Sequence, residues 1–500
     1  MSEKKQGMFI TEDGKNVLFT FILVSSLFLL WGFCNGMIDV MDKHFQEELH
    51  LSLSQSAWVQ FAHYLGYFLM ALPAGWLATK LGYKGGIIAG LLMVAVGGFW
   101  FIPATKIAAF WAFLLGVCVI ASGLTFLETV ANPYTTVLGE KRYAATRINL
   151  AQSCNGIGWI FGPIAGSMFF YSTDATGKST GAQTLWIPYA GVAVVVVILS
   201  VVFYFANVPD IKTEDDYHLD DKAADAPPGT MDRIPNRGLA MFLQWMNIAV
   251  LSSAVGMIAS AITSAITTDE TQVLKVFIGT SAVALTVGTV TWMLKLKRIT
   301  HHSIWTHPHF SSATLAQFFY VAAQSGIFAY FINYMTSQAP TAISNQTASK
   351  LASAGFGCFL AGRFIGAGLL KKFAAHKILA LFGVVNVAVC LLIMLKLGWA
   401  STISVFASYF FMSIMFPTIF ALGIFGLGVR AKKASAFIVM AIMGGAIMPK
   451  LMGHVADIYD VSRSFIVPLF CFAFVALYGW MWPKFSGAES LHGVKTAGGH

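Results

Sequence analysis

The sequence predicts an all-α membrane protein made of two repeated six-helix bundles with a further helix pair between them. Three observations predict it. The chain of 500 residues is 57% hydrophobic and 11% charged, whereas soluble domains carry about 25% charged residues. Apolar runs with few charges follow one another along the chain, each near the length of about 20 residues that crosses a bilayer. The last six runs repeat landmarks of the first six at matching places. Strands of a membrane barrel would show short alternating segments instead.

Taken in order, the first six spans are expected near 18–43, 55–79, 85–104, 107–137, 145–171 and 183–207. The polar start MSEKKQGMFITEDGK leads into a span of full length with no small-residue cleavage site, so that span is read as uncleaved. An Asp-rich stretch follows, and 208–238 is read as a solvated linker. Two apolar runs, 239–263 and 271–294, form an inserted pair within 239–296. The last six spans lie near 310–335, 346–370, 376–396, 399–425, 433–457 and 464–482. The bundles are thus 18–207 and 309–485, and the spans number fourteen.

Charge orients them. Lys80 and Lys84, then Lys141, Arg142 and Arg147, then Lys295, Lys297 and Arg298, then Lys371, Lys372 and Lys377, then Arg430, Lys432 and Lys433 fall in alternate loops. Such loops stay in the cytoplasm. The chain is therefore expected in the cytoplasmic (inner) membrane with both termini and the 208–238 linker inside. The net charge of +9 comes from these loops and does not indicate nucleic acid. Six cysteines lie singly in apolar runs and are read as packing residues. The run THHSIWTHPH is read as an interface segment, not a metal site, and NQT at Asn345 has the form of a glycan sequon.

The repeat is visible residue by residue. Pro133 precedes Gly139 by six, as Pro417 precedes Gly423; Gly158 precedes Pro163 by five, as Gly444 precedes Pro449. Two parallel six-helix repeats form the major facilitator arrangement, in which bundles rock about a substrate site near the midplane.

Polar residues inside the spans mark where that site would lie, because an ionised side chain at the bilayer centre costs about 2.5–3.5 kcal/mol. Trp31, Asn35 and Asp39 are spaced by four on one face of the first span. Glu128 and Asn132 share a face of the fourth, in TFLETVANPY. Asn149, Gln152 and Asn155 line the fifth, and Gln317, Gln324, Tyr330 and Asn333 the span near 310–335. Amides and carboxylates pair with sugar hydroxyls, and an aromatic ring packs on the apolar sugar face. Each has a plainer reading. Amides also join helices, Asp39 could be interfacial, and Glu128 could pair with Arg147. Arg363 could cap backbone carbonyls, Lys450 could balance Asp39 or Glu128, and His63 and His454 are further buried candidates. The sequence contains no HExxH, phosphate-binding loop or serine nucleophile elbow, so an enzyme is not expected.

The segments LFLLWGF, GLTFLETVANPYTTVLG, RINLAQSCNGIG, AGRFIGAGLLKKFAAHKIL and SAFIVMAIMGGAIMP carry a resemblance to the L-fucose/proton symporters of the major facilitator superfamily. It covers nearly everything except 208–300 and the termini. The resemblance implies sugar uptake by proton symport, with Asp39 and Glu128 as the coupling carboxylates. It places sugar contacts at Trp31, Asn35, Gln152 and Asn155; Asn132, Gln324 and Asn333 join them from their placement on facing spans. Gly36 and Ile38 stand where that family carries asparagines, and His63 replaces an apolar aromatic. These departures leave the sugar open among hexoses and deoxyhexoses such as L-fucose, glucose and galactose. The expected partners are a monosaccharide, a coupling cation and the lipid bilayer, with no cofactor and a monomeric chain. Sodium is the alternative coupling ion, and a transporter-like sugar sensor the alternative function. The inserted pair, poor in buried polar groups, is expected as a peripheral hairpin with no sugar contact.

Overall fold

A computed structural model describes residues 7–11, 14–48, 58–170, 184–209, 237–267, 270–295, 303–343 and 345–486. Most of the acidic linker therefore lies outside the described residues, as do the side chains of Asp39, Asn345, Lys450 and His454.

The described residues are almost entirely helical. The first part holds α1 (Leu18–Glu48), α2 (Trp58–Ile107), α3 (Phe110–Val137), α4 (Ala144–Phe170) and α5 (Trp186–Phe205). Two further helices follow, α6 (Arg237–Ile266) and α7 (Glu270–Lys295). The last part holds α8 (Pro308–Gln338), α9 (Asn345–Leu370), α10 (Ala375–Met394), α11 (Trp399–Met412), α12 (Met415–Gly423), α13 (Ala431–Met440), α14 (Gly444–Ile458), α15 (Val461–Ser464) and α16 (Ile466–Ser486). Twelve helical segments among the described residues are long and apolar enough to cross a membrane. The outward faces carry large apolar side chains such as Phe205, Leu294 and Trp480, each more than three-quarters exposed. Lipid is the solvent in which such a surface is stable.

The second and third expected spans meet end to end within α2, which breaks into two helices at Gly82 (φ 70, ψ −174). A glycine tolerates this left-handed φ without a Cβ clash. The twelfth and thirteenth expected spans, 399–425 and 433–457, are each divided. α11 ends at Met412 and α12 begins at Met415, just ahead of Pro417. A short 3₁₀ turn, Ala441–Met443, separates α13 from α14.

Close helix contacts come from small residues, as expected where lipid offers no hydrophobic driving force between helices. α1 lies directly on α4: a Cβ on Gly158 would stand 2.3 Å from the Leu29 carbonyl oxygen, and one on Gly32 2.0 Å from that of Asn155. The same contact recurs in the second part, where a Cβ on Gly444 would stand 2.3 Å from the Phe318 carbonyl oxygen of α8. Gly158 and Gly444 are the pair that the sequence repeat matches, so the repeat extends to helix packing.

The two parts meet along α2, α3 and α4 on one side and α8, α9, α12 and α13 on the other. Ser435 Oγ donates to the Thr129 carbonyl at 2.7 Å, Asn149 Nδ2 to Thr418 Oγ1 at 3.1 Å, and the Lys432 ammonium sits 4.1 Å from the Tyr83 ring centroid. α6 and α7 pack on each other beside α8. Asn247 Nδ2 donates to the Ser311 carbonyl at 2.9 Å and Gln244 Nε2 to that of Trp305 at 2.9 Å. In the histidine run, Trp305 packs edge-on against Phe310 and Phe437.

Candidate functional site

α1 supplies the aromatic edge. Trp31 Nε1 donates to the Tyr67 hydroxyl of α2 at 2.7 Å, and the Trp31 ring lies 6.3 Å from that of Phe416 in the other part. Asn35, one turn on, is buried with its Oδ1 unpaired among the described residues. His63 shares a face with Tyr67, their ring centroids 5.0 Å apart, and its Nδ1 is unpaired among the described residues. Tyr64 meets Ser325 of α8 across the interface, hydroxyl to hydroxyl at 3.0 Å.

Glu128 is 1% exposed, and neither carboxylate oxygen has a hydrogen-bond partner among the described residues. The Tyr67 hydroxyl accepts from Trp31, so its own proton remains to be donated. Arg147 is not the partner of Glu128. Its guanidinium is spent on the carbonyls that end α3 and on Met8: Nε to Thr135 at 3.0 Å, Nη1 to Glu140 at 2.8 Å and to Met8 at 3.0 Å, Nη2 to Gly139 at 3.2 Å and to Thr136. A cation there suits the negative end of the helix dipole.

The prolines acquire a purpose. Pro133 has no N–H to give to the carbonyl four residues back, Thr129. That freed carbonyl takes the Ser435 hydroxyl from α13. Pro417 likewise frees the Ser413 carbonyl, which accepts from Arg363 Nε at 3.1 Å. Equivalent prolines in the two parts thus each expose an acceptor that a side chain of another helix satisfies. Ser435→Ala should leave the Thr129 carbonyl buried and unpaired, at about 1–3 kcal/mol. Spin labels at the exposed positions Lys80 and Lys433 should report a broader, longer distance distribution in that variant.

The amides form a chain. Gln152 Nε2 donates to Asn132 Oδ1 at 3.1 Å, and Asn155 Oδ1 accepts from Arg363 Nη1 at 3.1 Å. Arg363 Nη1 also donates to the Gln152 carbonyl, and its guanidinium lies 4.5 Å from the Phe359 ring centroid. Asn132 Nδ2, Gln152 Oε1 and Asn155 Nδ2 remain unpaired among the described residues, as do both side-chain atoms of Gln317 and the Tyr320 hydroxyl. All six of these groups belong to side chains at most 2% exposed. Buried amides left this open are rare; they suit a site made for a polyhydroxylated ligand.

The structure therefore brings Trp31, Asn35, Glu128, Asn132, Gln152 and Asn155 into buried positions on one part. Gln324 is half-buried on α8, beside Ser325. Asn333 is exposed two turns further along and stands apart from the buried amides. Sequence reasoning overlooked Tyr67 and Thr418. The spacing of His63 and Tyr67 by four in HYLGY was a usable signal for the first.

The chain matches the family model of the Major Facilitator Superfamily over residues 20–424. It is 31% identical to the L-fucose-proton symporter of Escherichia coli over 483 residues, 93% of each chain. It is 28% identical to a glucose/galactose transporter of Brucella abortus over 476 residues, 95% of this chain and 96% of the relative. It is also similar to the crystal structure of the E. coli fucose:proton symporter, with a TM-score of 0.68 and 29% identity over 94% of this chain and 99% of that one.

Proposed function

The chain belongs to the Major Facilitator Superfamily, and on that premise we propose that it carries a monosaccharide across the membrane together with a proton. The observation that carries this reading is an enclosed carboxylate, Glu128, without a hydrogen-bond partner among the described residues and beside amides that each keep one donor or acceptor unpaired among them. An ionised carboxylate so placed is costly, and a proton removes the charge. Glu128 is then the group that joins proton movement to sugar occupancy. Asp39, on the same face of α1 as Asn35 but nearer the outer end, exchanges the proton with the outside. Trp31 packs on the sugar's apolar face, and Asn35, Asn132, Gln152 and Asn155 bind hydroxyls, with Gln324 opposite them. The sugar is a hexose or deoxyhexose, as the names of both relatives suggest.

The proposed architecture has fourteen spans. The broken helix α2 is taken as two passes, since about 75 Å of helix exceeds twice the ~30 Å core, and α4 is added to the remaining segments. The bundles are 18–207 and 309–485, and 239–296 is a lateral hairpin that offers the sugar nothing. One chain supplies both walls of the site, which suits a monomer. The 208–238 linker and the C-terminus face the cytoplasm of a bacterial inner membrane. A cysteine at position 225, in a cysteine-free background, should resist impermeant labelling in intact cells and react after permeabilisation; labelling in intact cells would reverse this topology.

The function itself is tested by purified protein in proteoliposomes with a panel of labelled monosaccharides, with and without an inward proton gradient. One or a few sugars should accumulate only with the gradient. Binding without flux would favour a sugar sensor, and accumulation driven by sodium alone would remove the proton from the mechanism.

A further inference from the structure

Arg363 is a buried cation with neutral acceptors. It projects from α9, is 4% exposed, and donates to the Ser413 carbonyl, the Gln152 carbonyl and Asn155 Oδ1. The proline-freed Ser413 carbonyl anchors Nε, and the Phe359 ring supports the guanidinium plane. Nη1 reaches across to α4 and makes both contacts there. We propose that Arg363 is a positioning residue that fixes Asn155 as a hydrogen-bond donor toward the bound sugar. This rests on the sugar-transport reading above.

Hydrogen-bond polarity sets the orientation of Asn155. A guanidinium has donors and no acceptor. The atom of Asn155 facing it must therefore be the oxygen, and the amide cannot turn over while Arg363 is in place. Asn155 Nδ2, unpaired among the described residues, is then left as a pure donor. Gln152 and Asn132 lack such a lock: both amides can invert together and keep their mutual hydrogen bond at 3.1 Å. Asn155 thus differs from its neighbours in offering one polarity only. The ligand atom opposite it must accept, as a hydroxyl or ring oxygen does and a deoxy carbon does not. A site built to bond a hydroxyl rejects an analogue lacking it far more strongly than an apolar pocket rejects a small change in size. Arg363 contributes that discrimination without touching the sugar.

The test uses the full chain in proteoliposomes and sugar exchange without a gradient. The probes are the monosaccharide the wild type exchanges best and its singly deoxygenated analogues. Wild type should discriminate against one analogue by about a hundredfold, and Arg363→Met should reduce that ratio about tenfold, raising half-saturation for the parent sugar about tenfold while changing the maximal rate less than about threefold. Arg363→Lys, which keeps a donor, should recover most of the discrimination. Asn155→Ala should cost about tenfold in half-saturation in the wild type but less than about threefold in Arg363→Met, because the two side chains act as one unit. Asn155→Asp gives a second line of evidence if Arg363→Met does not fold. It can still accept from Arg363 but cannot donate to sugar, so it should keep wild-type thermal stability and lose sugar binding.

Unchanged discrimination in Arg363→Met, effects that simply multiply, or wild-type exchange by Asn155→Asp would each show Arg363 to be structural and overturn the proposal. A wild type that exchanges no monosaccharide would overturn the transport reading and this inference with it.

Discussion

Glu128→Gln exchanges sugar across the membrane as fast as wild type to within about threefold, yet fails to concentrate it. That result is expected because glutamine keeps the size and one acceptor of the protonated acid while holding no exchangeable charge. The carboxylate is 1% exposed and without a partner among the described residues, and Arg147, its candidate partner, is occupied by carbonyls. Among the described residues no ion pair is broken by the change, so no orphaned buried cation is left there. The loss falls on coupling. One pH unit is worth about 1.36 kcal/mol per proton, so one proton per sugar supports about tenfold accumulation per unit in the wild type. The variant should show none. Sugar binding measured at several pH values should lose its pH dependence as well. Accumulation at the wild-type level would make Glu128 a structural residue. Asp39→Asn should also lose driven uptake, through proton access more than sugar affinity.

Gly158→Leu yields no folded protein, and Gly158→Ala lowers the melting temperature sharply. A Cβ here would lie 2.3 Å from the Leu29 carbonyl oxygen and 2.5 Å from the Phe33 nitrogen. Both are backbone atoms within α1, so no rotamer change relieves the contact. Overpacking a well-packed core costs about 1–3 kcal/mol even where side chains can give way, and a forced separation of α1 from α4 should cost more. Gly444→Ala should behave alike, since its Cβ would lie 2.3 Å from the Phe318 carbonyl oxygen. Gly191→Ala is the control: nothing lies within 4 Å of its Cβ, and alanine is the better helix former by about 1 kcal/mol. Melting of the purified protein in detergent, followed by size-exclusion fluorescence, measures all three. Equal stability of Gly158→Ala and Gly191→Ala would contradict the packing described.

The amino-acid sequence displayed most of the helices, because a bilayer demands long apolar runs and leaves few alternatives. It displayed Glu128 for the same reason: a charge stands out where none is tolerated. The repeat of proline and glycine pointed to paired bundles, and Gly158 and Gly444 do occupy matching contacts. What it concealed were choices made in three dimensions. Arg147 lies nineteen residues beyond Glu128 in sequence, yet the end of α3, with its unpaired carbonyls, captures it first. Arg363 sits in another part of the chain from Asn155, and nothing in either segment indicates that one turns the other. Asn333 follows Gln324 by nine residues, which turns it about half a turn off the face that Gln317 and Gln324 share, and it lies exposed there. The break at Gly82 was displayed, since Lys80 and Lys84 stand between the spans expected near 55–79 and 85–104; what the sequence did not show is how short the connection is.

In this mechanism one binding event moves both a sugar and a proton. It is tested most directly by recording pH inside proteoliposomes that contain the purified protein, with no ion gradient imposed. Addition of the transported sugar outside should acidify the lumen as sugar enters, at a rate that follows sugar concentration, and Glu128→Gln should admit sugar without the pH change. Sugar entry into wild-type vesicles with no accompanying acidification would contradict the account.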